Sequence, residues 1–302
     1  MAILNIGSIN IDTVFELPHI PRPGETIAAS AKRMSLGGKG LNQSMAIARA
    51  GGNVLHCGAI GKDDDWIIAK MLDCGIDCRN IRRRADTPTG QAVVLLTKDS
   101  ENSIVLLSGA NHGLLDADIQ HAISRMKPSD WVLFQNETNA QQAILTHAKR
   151  CGLRIAYAAA PFVAEQVVPA LGLIDMLVMN DVEYSQLNET LLGRGELPSN
   201  LALLITKGPN GAEYRSASGI EAVPAFAVEA LDTTGAGDTF LGYFLEALAR
   251  NDTPLSALRI AAAASAIQVT RRGAAEAIPY KDEVLSFLET RKLSCREIID
   301  AI

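Results

Sequence analysis

The chain has 302 residues, 48% of them apolar and 21% charged, a balance that excludes a disordered, collagenous or coiled-coil protein and supports a core without disulfides or a structural metal. Its 28 basic and 34 acidic residues leave a net charge of −6, the opposite of the basic surplus with which nucleic-acid binders displace counterions, so no nucleic-acid partner is expected. No stretch approaches the ~18 apolar residues of a membrane span and residues 1–5 lack the basic segment of a signal peptide, so neither membrane insertion nor export is expected and the location reads as cytoplasmic.

Along the chain, short apolar runs at 3–6, 54–60, 131–134, 155–158, 176–179 and 203–206 read as buried strands. Helical patterns at 40–50, 64–73, 117–126, 140–151 and 181–188 alternate with them. The last third is helical at 237–249, 254–270 and from 281 onward. Such alternation demands crossover connections, hence a parallel sheet with helices on both faces. Two segments break the rhythm. Residues 11–36 carry Pro18, Pro21 and Pro23, and 90–108 read as two strands, 91–97 and 103–107, around a turn at 98–102. Both are expected to leave the main sheet, either as a small lid over a cleft or as edge hairpins. Residues 79–84, with Arg82, Arg83 and Arg84 adjacent and no interleaved aromatics, read as a solvated surface loop. Cys57, Cys74, Cys78, Cys151 and Cys295 are scattered and odd in number, and read as free thiols of a reducing compartment.

Four segments carry candidate chemistry. Asp232-Thr-Thr-Gly-Ala-Gly-Asp-Thr-Phe240 runs a small-residue turn straight into a helix. Backbone N–H groups there converge on one spot, and the helix dipole favours an anion at it. Asp238 falls in the first turn, a base beside a bound phosphate, as phosphoryl transfer requires. Ser35-Leu-Gly-Gly-Lys-Gly-Leu-Asn-Gln43 opens another helix, with Lys39 and Asn42 on one face and Gly37 and Gly38 permitting close approach; it reads equally as a site or a structural turn. It matches neither a Walker A loop nor a dinucleotide fingerprint. Gly7-Ser-Ile-Asn-Ile-Asp12 follows the first strand, where α/β proteins bind ligands; Asn10 and Asp12 suit a polyol or are simply a polar loop. Asn180-Asp-Val-Glu183 could hold Mg²⁺ through water or cap a helix.

The order of these motifs, together with Pro23-Gly-Glu-Thr26 and Gly109-Ala-Asn111, resembles the ribokinase/PfkB carbohydrate kinase family over almost the whole chain, and most resembles its ribokinase branch. The resemblance implies a single α/β domain over 1–302: a three-layer α/β/α fold with a mostly parallel central sheet and a β-sheet lid, formed by about 11–36 and 90–108, that also makes a homodimer contact. It implies transfer of the γ-phosphate of ATP to a hydroxyl of a pentose or related sugar, with Mg²⁺ and a monovalent cation, K⁺, as cofactors. By the same resemblance Asp238 is the catalytic base and Gly235, Ala236 and Gly237 form the anion hole. Asn10, Asp12, Gly38, Lys39, Asn42 and Glu137 fall on sugar-contact positions. Asn180, Thr206, Gly208 and Gly211 fall on the nucleotide side, with Gly237 beside the phosphates and Glu183 near magnesium. Asp232, Thr234, Arg271 and Gly273 lie on the segments that bind the monovalent cation. A nucleoside kinase and a non-catalytic sugar or nucleoside sensor on the same fold are the alternatives. This chain reads Ala158-Ala-Ala-Pro161 where ribokinases commonly read Asn-Pro-Ala-Pro, and carries Ala277 in place of a small polar residue at the cation loop. Only a modest potassium effect is therefore expected.

Overall fold

A computed structural model of the protein describes residues 1–97, 101–192 and 195–299. The chain begins with β1 (Ile3–Ile6), β2 (Asn10–Leu17) and β3 (Ala31–Gly37), followed by α1 (Lys39–Arg49), β4 (Val54–Gly61), α2 (Asp65–Asp73) and β5 (Asp77–Arg84). Next come β6 (Gly90–Thr97), β7 (Asn102–Leu107), a 3-10 turn at Gly109–His112, α3 (Asp116–Ser124), β8 (Trp131–Gln135) and α4 (Gln141–Arg150). The second half contains β9 (Arg154–Ala158), α5 (Ala164–Ala170), β10 (Met176–Asn180), α6 (Asp181–Leu191), β11 (Ala202–Thr206), β12 (Ala212–Ser216) and β13 (Gly219–Val223). Three helices close it: α7 (Ala236–Ala249), α8 (Pro254–Val269) and α9 (Lys281–Ile299).

Nine strands form the main sheet in the order β13-β12-β11-β10-β9-β8-β1-β4-β5. It is parallel from β11 to β5 and antiparallel only through the β12 and β13 hairpin. Strand alternation divides the core into two layers. Ile3, Trp131 and Leu133 face α1, α2, α7 and α8, whereas Leu4, Val132 and Phe134 face α3, α4, α5 and α6. A second sheet, β3-β2-β6-β7, stands apart and is built from the two segments that broke the sequence rhythm. The tip of its β6–β7 connection, 98–100, lies outside the described residues.

Two departures from the sequence reading have plain causes. Residues 79–84 are not a loop but part of β5, the sheet's edge strand, paired in parallel with β4. Its outward arginines meet carboxylates: Arg79 with Asp77, Arg82 with Asp118 at 2.9 Å, Arg83 with Asp65 at 2.5 Å and Arg84 with Asp86 at 3.2 Å. Cys78 and Ile81 face inward and hold it to the core. The β12 and β13 hairpin and the short α5 were not anticipated. Among the described residues no helix is long and apolar enough to cross a membrane.

Candidate active site

The site is assembled where α7 crosses α1. Gly242 makes the crossing close: a Cβ there would lie 2.3 Å from the Ala46 Cβ. One turn back along each helix stand Asp238 and Asn42, so the same contact brings these two side chains together. Asn42 Nδ2 donates to Asp238 Oδ2 at 3.0 Å, and Gln43 Nε2 donates to Asp238 Oδ1 at 2.8 Å. Burial raises the Asp238 carboxyl above its usual range and Glu137 adds to the rise, while Lys39, Asn42 and Gln43 pull against it. The other amide atom of Asn42, Oδ1, is buried without a partner among the described residues.

The start of α1 is fixed by the loops after β1 and β8. Gly38, at φ 89°, turns the chain into the helix, and a side chain there would crowd Asn10 N and Ser8 O at 3.0–3.1 Å. Glu137 Oε2 accepts the Lys39 N–H at 3.0 Å and also the Ser8 hydroxyl, which places a carboxylate at a helix N-terminus where the dipole favours it. Burial alone would favour a neutral Lys39 amine, but the carboxylates of Asp238, Glu137 and Glu183 outweigh it and hold its proton more tightly than usual.

Asp12 lies at the root of the second sheet, over Gly37. The two glycines of the motif therefore do different work: Gly37 makes room for Asp12, since a Cβ there would sit 2.0 Å from its Oδ2, whereas Gly38 permits the turn. Burial first, then the charges of Glu137 and Glu276, raise the Asp12 carboxyl to about 6. Glu276 reaches this region from the segment after α8 and accepts from Leu36 N at 3.4 Å. Asn10 Oδ1 accepts from Asn111 Nδ2 at 2.7 Å, while Asn111 Oδ1 takes the Ile9 N–H at 2.9 Å.

At the other end of the cleft, Asn180 and Thr206 stand side by side as register partners of β10 and β11. Asn180 and Glu183 form a reciprocal capping box on α6, each side chain accepting the other's N–H at 2.8 Å, so the capping alternative is realised. Burial raises the Glu183 carboxyl above its usual range, against the pull of the Asn180 N–H and Lys39. Gly208 sits in a 3-10 turn, and Gly211 packs where a Cβ would be 2.0 Å from Val223 O. In the 232–238 turn Gly235 adopts φ 75°. The Ala236 N–H donates to Thr233 O at 3.2 Å and is thus engaged within the turn. Among the described residues, the N–H groups of Gly235, Gly237 and Asp238 have no acceptor. Asp232 accepts from Thr234 N and Gly273 N, both at 2.9 Å, and these bonds outweigh partial burial to hold its carboxyl below the usual range. The Arg271 guanidinium pairs with Glu283.

Residues 2–281 match the model of the pfkB family carbohydrate kinases. The chain belongs to that family. The kinase is 34% identical over 300 residues to a ribokinase of Haemophilus influenzae, covering 94% of this chain and 97% of that one. Its fold superposes on Thermotoga maritima ribokinase with a TM-score of 0.84 at 30% identity, covering 95% and 99% of the two chains. Arabidopsis thaliana ribokinase, solved with ribose and ATP, gives 0.81 at 27% identity over 95% and 98%. The protein is an ATP-dependent sugar kinase of ribokinase-like fold.

What sequence reasoning missed in the kinase is a buried polar chain behind Asp238. Asn5 Nδ2 donates to Gly40 O at 2.7 Å and to Ser44 Oγ at 2.9 Å, and Ser44 Oγ meets His56 Nδ1 at 2.8 Å. Gln135 Nε2 donates to Asn5 Oδ1 at 2.9 Å and to Gln43 Oε1 at 2.6 Å. Because a backbone carbonyl can only accept, Gly40 fixes the Asn5 amide, which fixes Gln135, which fixes Gln43 with its NH₂ toward Asp238. Burial lowers the His56 ring to about 4, so it is neutral. The available signal was Asn5 inside the otherwise apolar Ile-Leu-Asn-Ile of β1 and Gln135 ending β8.

Proposed function

We propose that the kinase transfers the γ-phosphoryl group of ATP to a hydroxyl of a pentose such as ribose, with Asp238 as the base. The observation that carries this is the Asp238 carboxylate, held at both oxygens by Asn42 and Gln43, in the first turn of a helix whose Gly235, Gly237 and Asp238 N–H groups have no acceptor. A sugar hydroxyl, with a pKa on the order of 16 like water, is not ionised in advance by a carboxylate. Asp238 takes its proton as the oxygen bonds to phosphorus, and the free N–H groups meet charge developing on the phosphoryl oxygens. The anion hole is thus Gly235, Gly237 and the Asp238 N–H, with Ala236 shaping the turn.

Asn10, Asp12, Gly38, Lys39, Asn42 and Glu137 line the sugar side in this reading. The orphaned Asn42 Oδ1 accepts a sugar hydroxyl, and Asp12 accepts others. Asn180, Thr206, Gly208 and Gly211 line the nucleotide side. Glu183, a half-buried carboxylate facing Lys39, would hold Mg²⁺ through its waters, and the ion would supply neutralisation of phosphate charge. We also read the second sheet as a lid that pairs with a second copy: its edge strand β7 exposes Ile104, Val105, Leu106 and Leu107 in succession, each more than half exposed. The free thiols of Cys57, Cys74, Cys78 and Cys151 support a reducing, cytoplasmic compartment. A panel of pentoses, hexoses and nucleosides in an ADP-release assay tests the reading. ADP release with a pentose and not with nucleosides is the expected result; preference for a nucleoside overturns the substrate class.

A further inference from the structure

The cation implied by family resemblance would lie between the 232–238 turn and the segment after α8, and the groups there do not fit one. Both Asp232 oxygens accept backbone N–H groups, from Thr234 on its own turn and Gly273 on the other. Ala277 is buried and offers no oxygen from its side chain. Between the two segments stands Gln268, fully buried on the last turn of α8. Its Nε2 donates to Thr234 O at 2.8 Å and reaches Ala274 O at 3.5 Å, while its Oε1 accepts the Thr239 hydroxyl. Two carbonyls that can only accept leave no choice of amide orientation. The same NH₂ packs under Gly235, where a Cβ would come within 3.0 Å of it. The positive end of an amide dipole thus occupies the point where carbonyls of both segments converge, and a cation placed there would meet N–H hydrogens.

We propose that the Gln268 side chain replaces a bound monovalent cation as the cross-link that holds the anion-hole turn, so that the kinase turns over without potassium. The functional half of this rests on the reading of 235–238 as the anion hole. Gln268 is a positioning residue: it touches no substrate and acts through the carbonyl of Thr234 and the αL turn at Gly235.

Turnover and melting temperature are measured in tetramethylammonium chloride and in potassium chloride of equal ionic strength, for the wild type, Gln268→Ala and Gln268→Glu. The wild type is expected to give the same turnover and melting temperature in both salts. Gln268→Glu is nearly isosteric, and once ionised it points a carboxylate oxygen at two carbonyls, a repulsion that a bound cation relieves; because a proton would relieve it too, this variant is compared with the wild type at pH 9. It is expected to lose about 10–100-fold in turnover through misplacement of the donors, to melt lower, and to recover both in potassium. Gln268→Ala is expected to lose turnover likewise. A several-fold rise of wild-type turnover in potassium would overturn the proposal. So would variants indistinguishable from wild type without potassium, or losses that potassium leaves unrepaired in Gln268→Glu. If the wild type phosphorylates no sugar, the kinase reading of the site fails, while the melting temperatures still decide the cross-link.

Discussion

The titration of Asp12 gives the sugar side a sharp prediction. Its carboxyl is raised from 3.8 to about 6 by burial and by the charges of Glu137 and Glu276; in the sugar-binding role we propose for it, only the ionised form accepts hydroxyls at both oxygens. About 90% is ionised at pH 7 and about 10% at pH 5, so sugar affinity should fall roughly tenfold between them. Asp12→Asn cannot ionise. It should weaken sugar binding about 10–100-fold at pH 7, from lost charge-assisted bonds of roughly 1.5–3 kcal/mol, and should erase the acid limb. Glu276→Gln removes a like charge and should shift the limb to lower pH. Stability moves oppositely. A folded-state pKa above the unfolded value means that the folded protein gains stability as pH falls from about 6 toward 3.8, and that ionised Asp12 costs stability above 6. The full shift is worth at most about 3 kcal/mol, and solvent screening of a half-buried group leaves about 1–2 kcal/mol. Asp12→Asn should therefore melt about 2–4 °C higher at pH 8 and lose that advantage near pH 4. Calorimetric titration with sugar between pH 5 and 8, paired with thermal melts, reads both. Sugar affinity independent of pH in the wild type, or an acid limb that survives in Asp12→Asn, would refute the reasoning.

Asp238→Asn keeps the shape but removes the proton acceptor, and steady-state kinetics should show a loss of about 10²–10⁴ in turnover with little change in sugar affinity. Gln43→Met withdraws a donor that favours ionised Asp238, and Gln135→Met unfastens Gln43, so a pH–turnover profile should show the acid limb of either variant at higher pH. Gly242→Ala inserts a methyl against Ala46 and should lower both melting temperature and turnover by spreading α1 from α7. If the proposed pairing of β7 edges forms a dimer, light scattering should give a dimer mass for the wild type and a monomer mass for Leu106→Lys, which charges that exposed edge.

The elements most legible in the sequence were those with a single job. Strands such as β8 and β10 are apolar on both faces because helices cover both, and at five residues each they are shorter than a typical helix. The second sheet was visible through its prolines and its interruption of the alternation. β5 was hidden because an edge strand has one face free for arginines, and the composition of that face resembles a loop. The candidate site was legible where a glycine turn opens a helix, at Gly38 and Gly235. It was not legible in Asn5, Gln135 and Gln268, each a lone polar residue in an apolar element, whose partners come from segments distant in sequence. Only the packed fold supplies those partners.

The second sheet has its root at Asn10 and Asp12, the side chains we assign to the sugar. In the first register row Asn10 is flanked by Gly37 on β3 and Gly90 on β6, and Asp12 follows two residues further out on the same strand. β2 is thus a lever whose short arm carries the side chains we assign to the sugar and whose long arm reaches Leu17. The glycines at its fulcrum lack side chains that would wedge it. A second copy seated on the β7 edge, as we propose, would rest on the same four-stranded sheet that carries Asn10 and Asp12, so assembly and sugar binding would share one structural unit.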